Sequence, residues 1–132
     1  LRITPADASQ TLGDWSCATG LKEISALTFS ANNYQDLIDH PVEMADFTLF
    51  DFDVQEVGHQ MAITGMHMAD VARLKQDLKT ICQHHIGFFN NDVPFDDYLF
   101  LTLVKTNGYG GLEHKNSSDY KRLHAFFSSL FT

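Results

Sequence analysis

The residues best suited to chemistry stand together in Asn107-Gly108-Tyr109-Gly110-Gly111-Leu112-Glu113-His114. Three glycines in four positions let a backbone come close to something else: a ligand, a neighbouring strand or a tight turn. The glycines run straight into a carboxylate and an imidazole. A carboxylate beside exposed backbone N–H and C=O groups suits a cationic amine attached to a peptide. The segment is not a phosphate-binding loop, because both G-x-G-x-x-G and G-x-x-x-x-G-K-[ST] are absent. Taken alone, it reads equally as a turn with a charged tip and as a binding site.

Other reactive residue types are scattered. Cys17 and Cys82 lie far apart and form no C-x-x-C, so a zinc ribbon or redox motif has no support. They read as two buried free thiols, with a single disulfide as the alternative. His84-His85 fall where a helix should end, and a partial positive charge there suits the helix dipole. They read as surface histidines rather than as a metal site.

Composition bounds the partners. The chain has 132 residues, 44% of them hydrophobic, and 11 Phe. That is enough for one folded domain with a real core, or a piece of one. There are 9 Lys+Arg against 17 Asp+Glu, for a net charge of -8. No basic cluster exists to follow a nucleic-acid backbone or an anionic membrane surface. Tyr98 to Val104 is the longest near-apolar run, far short of the ~20 residues of a membrane helix. It reads as a buried central strand. No signal peptide is visible, and the compartment is left open with a lean toward the cytoplasm.

Several elements must position the glycine segment. Trp15 to Thr19 reads as a short strand after a turn at Thr11 to Asp14. Tyr34 to Ile38 reads as a helical turn that ends ahead of Pro41, since the residue before proline disfavours the helical region. Phe47 to Val54 alternates, with Thr48, Phe50, Phe52 and Val54 on one face and Asp51 and Asp53 on the other. With a break at Val57-Gly58 and a second strand from His59 to Thr64, this forms a hairpin. Asp70 is the expected cap of a helix over 70–85, whose stripe is Val71, Leu74, Leu78, Ile81 and Cys82. Phe88 to Pro94 is a loop. A last helix is expected from Ser117 or Ser118, with Tyr120, Leu123, Phe127, Leu130 and Phe131 at helical spacing.

The ends are unusual. The chain starts at Leu1 and stops in an apolar stretch, Phe126 to Thr132, whereas termini are usually polar and frayed. It reads as cut from something longer, with a docked C-terminal helix as the alternative.

The run Gly108-Tyr109-Gly110-Gly111-Leu112-Glu113-His114-Lys115-Asn116-Ser117-Ser118 closely resembles the G-Y-G-G-L-E-H-x-N-S signature of the glycyl aminopeptidases. These are gluzincin-type zinc metallopeptidases that carry a PDZ domain near the C-terminus. Asp36-Leu37-Ile38-Asp39-His40-Pro41-Val42-Glu43-Met44 is similar to the family's D-L-x-D-x-P-V-E-M stretch. Pro94, Tyr98 and Phe100 match its P-[YF]-x-x-Y-x-F segment, and Trp15 and Thr19 its W-x-x-A-T element. The resemblance implies an exopeptidase. Glu113 would hold the substrate's N-terminal ammonium, as the Glu of a G-x-M-E-N strand does in related aminopeptidases. Gly110 and Gly111 would let the peptide lie along the strand edge by β-augmentation. His114, where those enzymes have Asn, would bond the substrate or fix the strand. Glu43 is a second acidic candidate, or else a structural loop carboxylate.

The departures are as informative. The family binds zinc through H-E-x-x-H plus a downstream Glu. Among His40, His59, His67, His84, His85, His114 and His124, no two are four apart and none precedes a Glu. The resemblance therefore implies a chain that stops just before the metal site. Ala45 replaces a usual Gly, and Asn90-Asn91 replace a Gly-containing loop.

The resulting expectation is an α+β fragment: a mixed, mainly antiparallel sheet with one long helix and shorter ones, like the first part of a thermolysin-like catalytic domain. Residues 1–30 would be the tail of an upstream β-domain and 31–132 the β-rich start of the catalytic domain. Zinc would serve the parent enzyme but not this piece, which should be inactive alone. Its partners would be the peptide amino terminus and the rest of the catalytic domain. A non-catalytic domain binding a peptide or a partner is the competing expectation.

Overall fold

The computed structural model describes residues 1–4, 13 and 15–123. The apolar stretch from Phe126 and most of the turn at Thr11 to Asp14 lie outside them. In chain order the elements are β1 (Ser16–Thr19), β2 (Lys22–Ser25), β3 (Thr28–Ser30), α1 (Tyr34–Ile38), β4 (Val42–Ala45), β5 (Phe47–Val54), β6 (Val57–Thr64), α2 (Val71–Phe88), β7 (Asp97–Lys105), β8 (Gly110–Glu113) and β9 (Ser117–Leu123). Strands β1 and β4 pair antiparallel, as do β2 and β3. The main sheet has five strands in the order β5-β6-β7-β9-β8.

That sheet is more evenly mixed than the sequence suggests. The β5–β6 and β8–β9 pairings are antiparallel, and β6–β7 and β7–β9 are parallel. The first parallel pair follows from α2, which carries the chain back as a crossover between β6 and β7. The second arises because β9 slots between β7 and β8. Strand β7 is central, as its apolar run requires, and β8 is left at an edge.

The hairpin forms with a shifted turn. Gln55 and Glu56 have φ of 50° and 69°, a two-residue loop in the left-handed region. Strand β6 therefore starts at Val57, and Gly58 is an ordinary strand residue. The alternation in β5 holds: Phe50, Phe52 and Val54 are buried, and Asp51 and Asp53 are exposed.

Helix α2 starts where Asp70 caps it, its side chain accepting from the Arg73 N–H at 3.1 Å. It runs three residues past the expected end, because Ile86 continues the buried stripe of Leu74 and Cys82. The following turn holds Asn90 and Asn91 at φ of 57° and 64°. Asparagine tolerates this conformation better than most residues, which accounts for its standing where the resembled family has glycine. Among the described residues the only other helix is α1. Asn33 caps it by accepting the Asp36 N–H at 2.9 Å.

The described part of the expected last helix is a strand, and the rest of it lies outside the described residues. Ser117–Leu123 pairs on both sides, with β7 and with β8. Ser117 and Ser118 are fully buried. Their small side chains fit a crowded central position, and that packing overrides the helical spacing of Tyr120 and Leu123.

The core has two parts. On one face α2 covers Phe50, Phe52, Met61 and Val104. On the other, Ala18 of β1 meets Ala62, Leu99 and Leu101. The sheet is thus buried on both faces, as parallel strands require.

Candidate functional site

Among the described residues strand β8 is an edge strand, and it carries all three residues of the Gly110-Gly111-Glu113 set. The register pairs Gly111 with Tyr120 and Glu113 with Ser118. One step further, the His114 N–H donates to the Ser117 carbonyl at 2.8 Å. Antiparallel pairs alternate between bonded and non-bonded. Gly110, Leu112 and His114 therefore bond to β9. Gly111 and Glu113 present their own N–H and C=O groups outward, at the free edge. That is the ladder an added strand would use.

Side chains alternate as well. Glu113 lies on the same face as Ser118, Phe100 and Met61. On that face a cavity of about 810 Å³ opens between α2 and the outer strands. Tyr98, Phe100, Thr102 and Tyr120 line its floor, Ile81 belongs to its helical wall, and Glu113 is at its rim. Phe95, Tyr98 and Phe100 follow one another at centroid distances of 5.1 and 4.9 Å. Burial pushes the Tyr98 hydroxyl above its ordinary range. Ile81, expected in the core, is half exposed because it faces this opening rather than the sheet. A carboxylate beside apolar walls and a free backbone edge can hold an ammonium attached to a peptide.

His114 does not reach into that opening. Its Nδ1 lies 3.4 Å from Asp39 Oδ1 and its Nε2 lies 3.2 Å from Asp119 Oδ1. Glu43 is elsewhere too. It sits in β4, where Oε1 accepts the Thr64 hydroxyl at 2.9 Å. Thr64 shares a register row with Leu103, Lys121 and Gly110, three residues along the strands from the row of Glu113. The two carboxylates do not converge.

Sequence reasoning passed over Asp39, Asp119 and the aromatic floor. Asp39 was visible in the D-L-x-D-x-P-V-E-M stretch, and the floor in the alternation of Tyr98, Phe100 and Thr102. Asp119 gave no signal. Both cysteines are free, and burial raises both thiols above their ordinary range. They are poor nucleophiles. His84 and His85 are exposed near the end of α2. Among the described residues no group of three His, Cys, Asp or Glu side chains is arranged to hold a metal ion. No described helix is long and apolar enough to cross a membrane.

Residues 2–46 match the family model of the peptidase M61 N-terminal domain. The fold is similar to the crystal structure of an aminopeptidase N family protein from Idiomarina loihiensis. The TM-score is 0.80 at 37% sequence identity, over 86% of this chain. The chain spans 20% of the length of that protein. A comparison with curated proteins gave no match. The two similarities relate this chain to M61-like peptidases.

Proposed function

We propose that this chain is part of a zinc-dependent aminopeptidase of the glycyl aminopeptidase type, with a PDZ domain elsewhere in the parent, and that β8 is its substrate edge. The observation that carries the reading is the double exposure of Glu113. Its backbone faces the free edge, and its carboxylate stands at the rim of the apolar opening. A peptide laid along β8 would exchange backbone bonds with Gly111 and Glu113. Its terminal ammonium would meet the Glu113 carboxylate as a charge-assisted pair. Gly110 leaves open space beside the strand, with nothing within 4 Å of where a Cβ would stand.

In this reading residues 1–30 end an upstream β-domain, and 31–132 begin the catalytic domain. The residues present do not fit zinc: H-E-x-x-H is absent and the described side chains form no ligand cluster. No chemical step is therefore assigned to this chain. Its part is to bind and orient, and alone it is inactive. Zinc and the general base belong to the rest of the parent. Peptide substrate is the partner, rather than nucleic acid or membrane.

The second reading is a non-catalytic domain that captures peptide amino termini. The same edge favours it, since the edge is built without any metal ligand. Titration of a short peptide, with its amino terminus free or acetylated, tests the shared claim. The free peptide is expected to bind weakly, and acetylation or Glu113→Gln to weaken it about tenfold. Equal binding of both peptides, or full affinity in Glu113→Gln, removes Glu113 from the role. Peptide hydrolysis by the chain alone would overturn the claim that it only binds.

A further inference from the structure

The turn that joins β8 to β9 is pinned by residues far away in the sequence. Three consecutive residues take part. His114 lies between the carboxylates of Asp39 and Asp119. The Lys115 N–H donates to Asp39 Oδ2 at 2.9 Å, and Lys115 Nζ lies 4.0 Å from Asp36 Oδ1. Asn116 Nδ2 donates to the Gly20 carbonyl at 3.2 Å and to Asp97 Oδ1 at 2.8 Å. A Cβ on Gly20 would stand 2.7 Å from Asn116 Oδ1, so glycine there makes the approach possible.

From this geometry we propose that His114 is a positioning residue, clamping the β8 edge and its Glu113 to the end of α1. The clamp ties the part of the chain that matches the M61 N-terminal domain to the sheet edge. Its chemistry is specific. Both ring nitrogens face carboxylate oxygens, and a neutral imidazole has one N–H to give. The Nε2–Asp119 contact is a hydrogen bond, and Nδ1 faces Asp39 at the longer distance of 3.4 Å. The His114 side chain is only 11% exposed, while the Asp39 and Asp119 carboxylates are 42% and 43% exposed, so the ring is enclosed and water reaches the outer sides of its partners. The bond from Lys115 N–H, with the bond and charge of His114, holds the Asp39 carboxyl below its ordinary range. Asp39 is therefore present as the anion that the clamp needs. Asp36, His40 and Lys115 stand around the same end of α1.

The consequence for ligand binding rests on the peptide-edge reading above, but the clamp itself does not. Amide hydrogen exchange separates the two. The Leu112 and His114 N–H groups bond to β9 and report on the edge. Leu74 and Ile86 of α2 report on the rest of the fold. His114→Phe keeps a ring without donors, and Asp39→Asn removes the charge at the surface end of α1. Each is expected to speed exchange at Leu112 and His114, or at position 114 of the variant, about tenfold, with α2 unchanged. The double variant should exchange no faster than either single one. His114→Gln, which keeps one donor group, should restore part of the protection. Unchanged exchange at the edge in Asp39→Asn overturns the clamp, even if His114→Phe fails to fold. Equal acceleration in α2 overturns it as well. Peptide titration on the same variants adds the functional outcome. Lost edge protection with no peptide binding in any form sinks the peptide reading and leaves the clamp standing.

Discussion

Gly111 stands directly across from Tyr120, and the ring occupies the room that a side chain on Gly111 would need. A Cβ there would lie 2.8 Å from Tyr120 Cδ1 and 3.2 Å from the Asp119 carbonyl. Gly110, its neighbour on the same strand, meets nothing within 4 Å. The two glycines thus have different reasons to be present. Gly111→Ala is expected to lose about 1–3 kcal/mol, because the Tyr120 ring must move into the opening and the ladder must shift. Gly110→Ala should be neutral or slightly stabilising, by up to about 1 kcal/mol, since it removes unfolded-state freedom at no steric cost. Urea unfolding of the pair checks this. Equal losses in both variants would mean that the register of β8 on β9 is wrong.

Gly65 is a stricter case. It has φ of 99°, and a Cβ would run into the Val104 carbonyl. The clash is with backbone, which cannot rotate away. Gly65→Ala should therefore destabilise by about 3 kcal/mol or more, with left-handed strain added to the collision. A thermal midpoint within a degree or two of wild type would contradict the placement of this turn against β7.

How much of this was readable beforehand depended on whether the signal was local. The α1 turn, the cap at Asp70 and the alternation of β5 rest on neighbouring residues, and all were legible. Strand β9 was not. Its seven residues owe their conformation to β7 and β8 on either side, which a helical spacing of Tyr120 and Leu123 cannot reveal. The split between parallel and antiparallel pairs was hidden for the same reason. At the site, Gly110, Gly111 and Glu113 stood out by type and order. The partners of His114 did not, since Asp39 lies 75 positions away and Asp119 sits in the misread segment. The opening that Glu113 borders is a product of how far α2 extends over the sheet, a tertiary fact.

Buried His59 gives the fold a pH dependence of definite sign. Its ring stacks on Phe52 at 5.0 Å, and its Nδ1 lies 2.9 Å from the Val57 carbonyl. Burial holds its pKa below the ordinary 6.5, partly offset by the Val57 bond and the Asp53 charge. Below about that pH the unfolded chain takes up a proton that the folded chain resists. The stability due to neutral His59 is full above pH 6.5 and is lost as pH falls toward the depressed folded value. Thermal midpoints at pH 7.5 and 5.5, compared between wild type and His59→Phe, isolate this residue. The variant should lose less stability on acidification. An identical pH slope in both proteins would show that His59 does not resist protonation.

Zinc should not bind this chain tightly. His59 is buried with one nitrogen engaged. The Nδ1 of His40 faces the Asp36 carbonyl, and His67 Nε2 lies 3.0 Å from Thr48 Oγ1. Asp39 and Asp119 stand on opposite nitrogens of His114, so the imidazole keeps them from converging on one ion. His84 and His85 are adjacent on a helix, where successive side chains point about 100° apart and do not face each other. Each described histidine is thus either occupied or isolated, and assembling three ligands from the described residues would mean breaking existing bonds. Calorimetric titration is expected to show only weak, non-stoichiometric heats at micromolar protein. A tight one-to-one isotherm would mean that ligands converge in a way these contacts do not allow. The corollary concerns the aminopeptidase proposed above as the parent. If its chemistry uses zinc, the ligands come from outside these residues, and removing the metal should leave the Glu113 edge and its His114 clamp intact by hydrogen exchange.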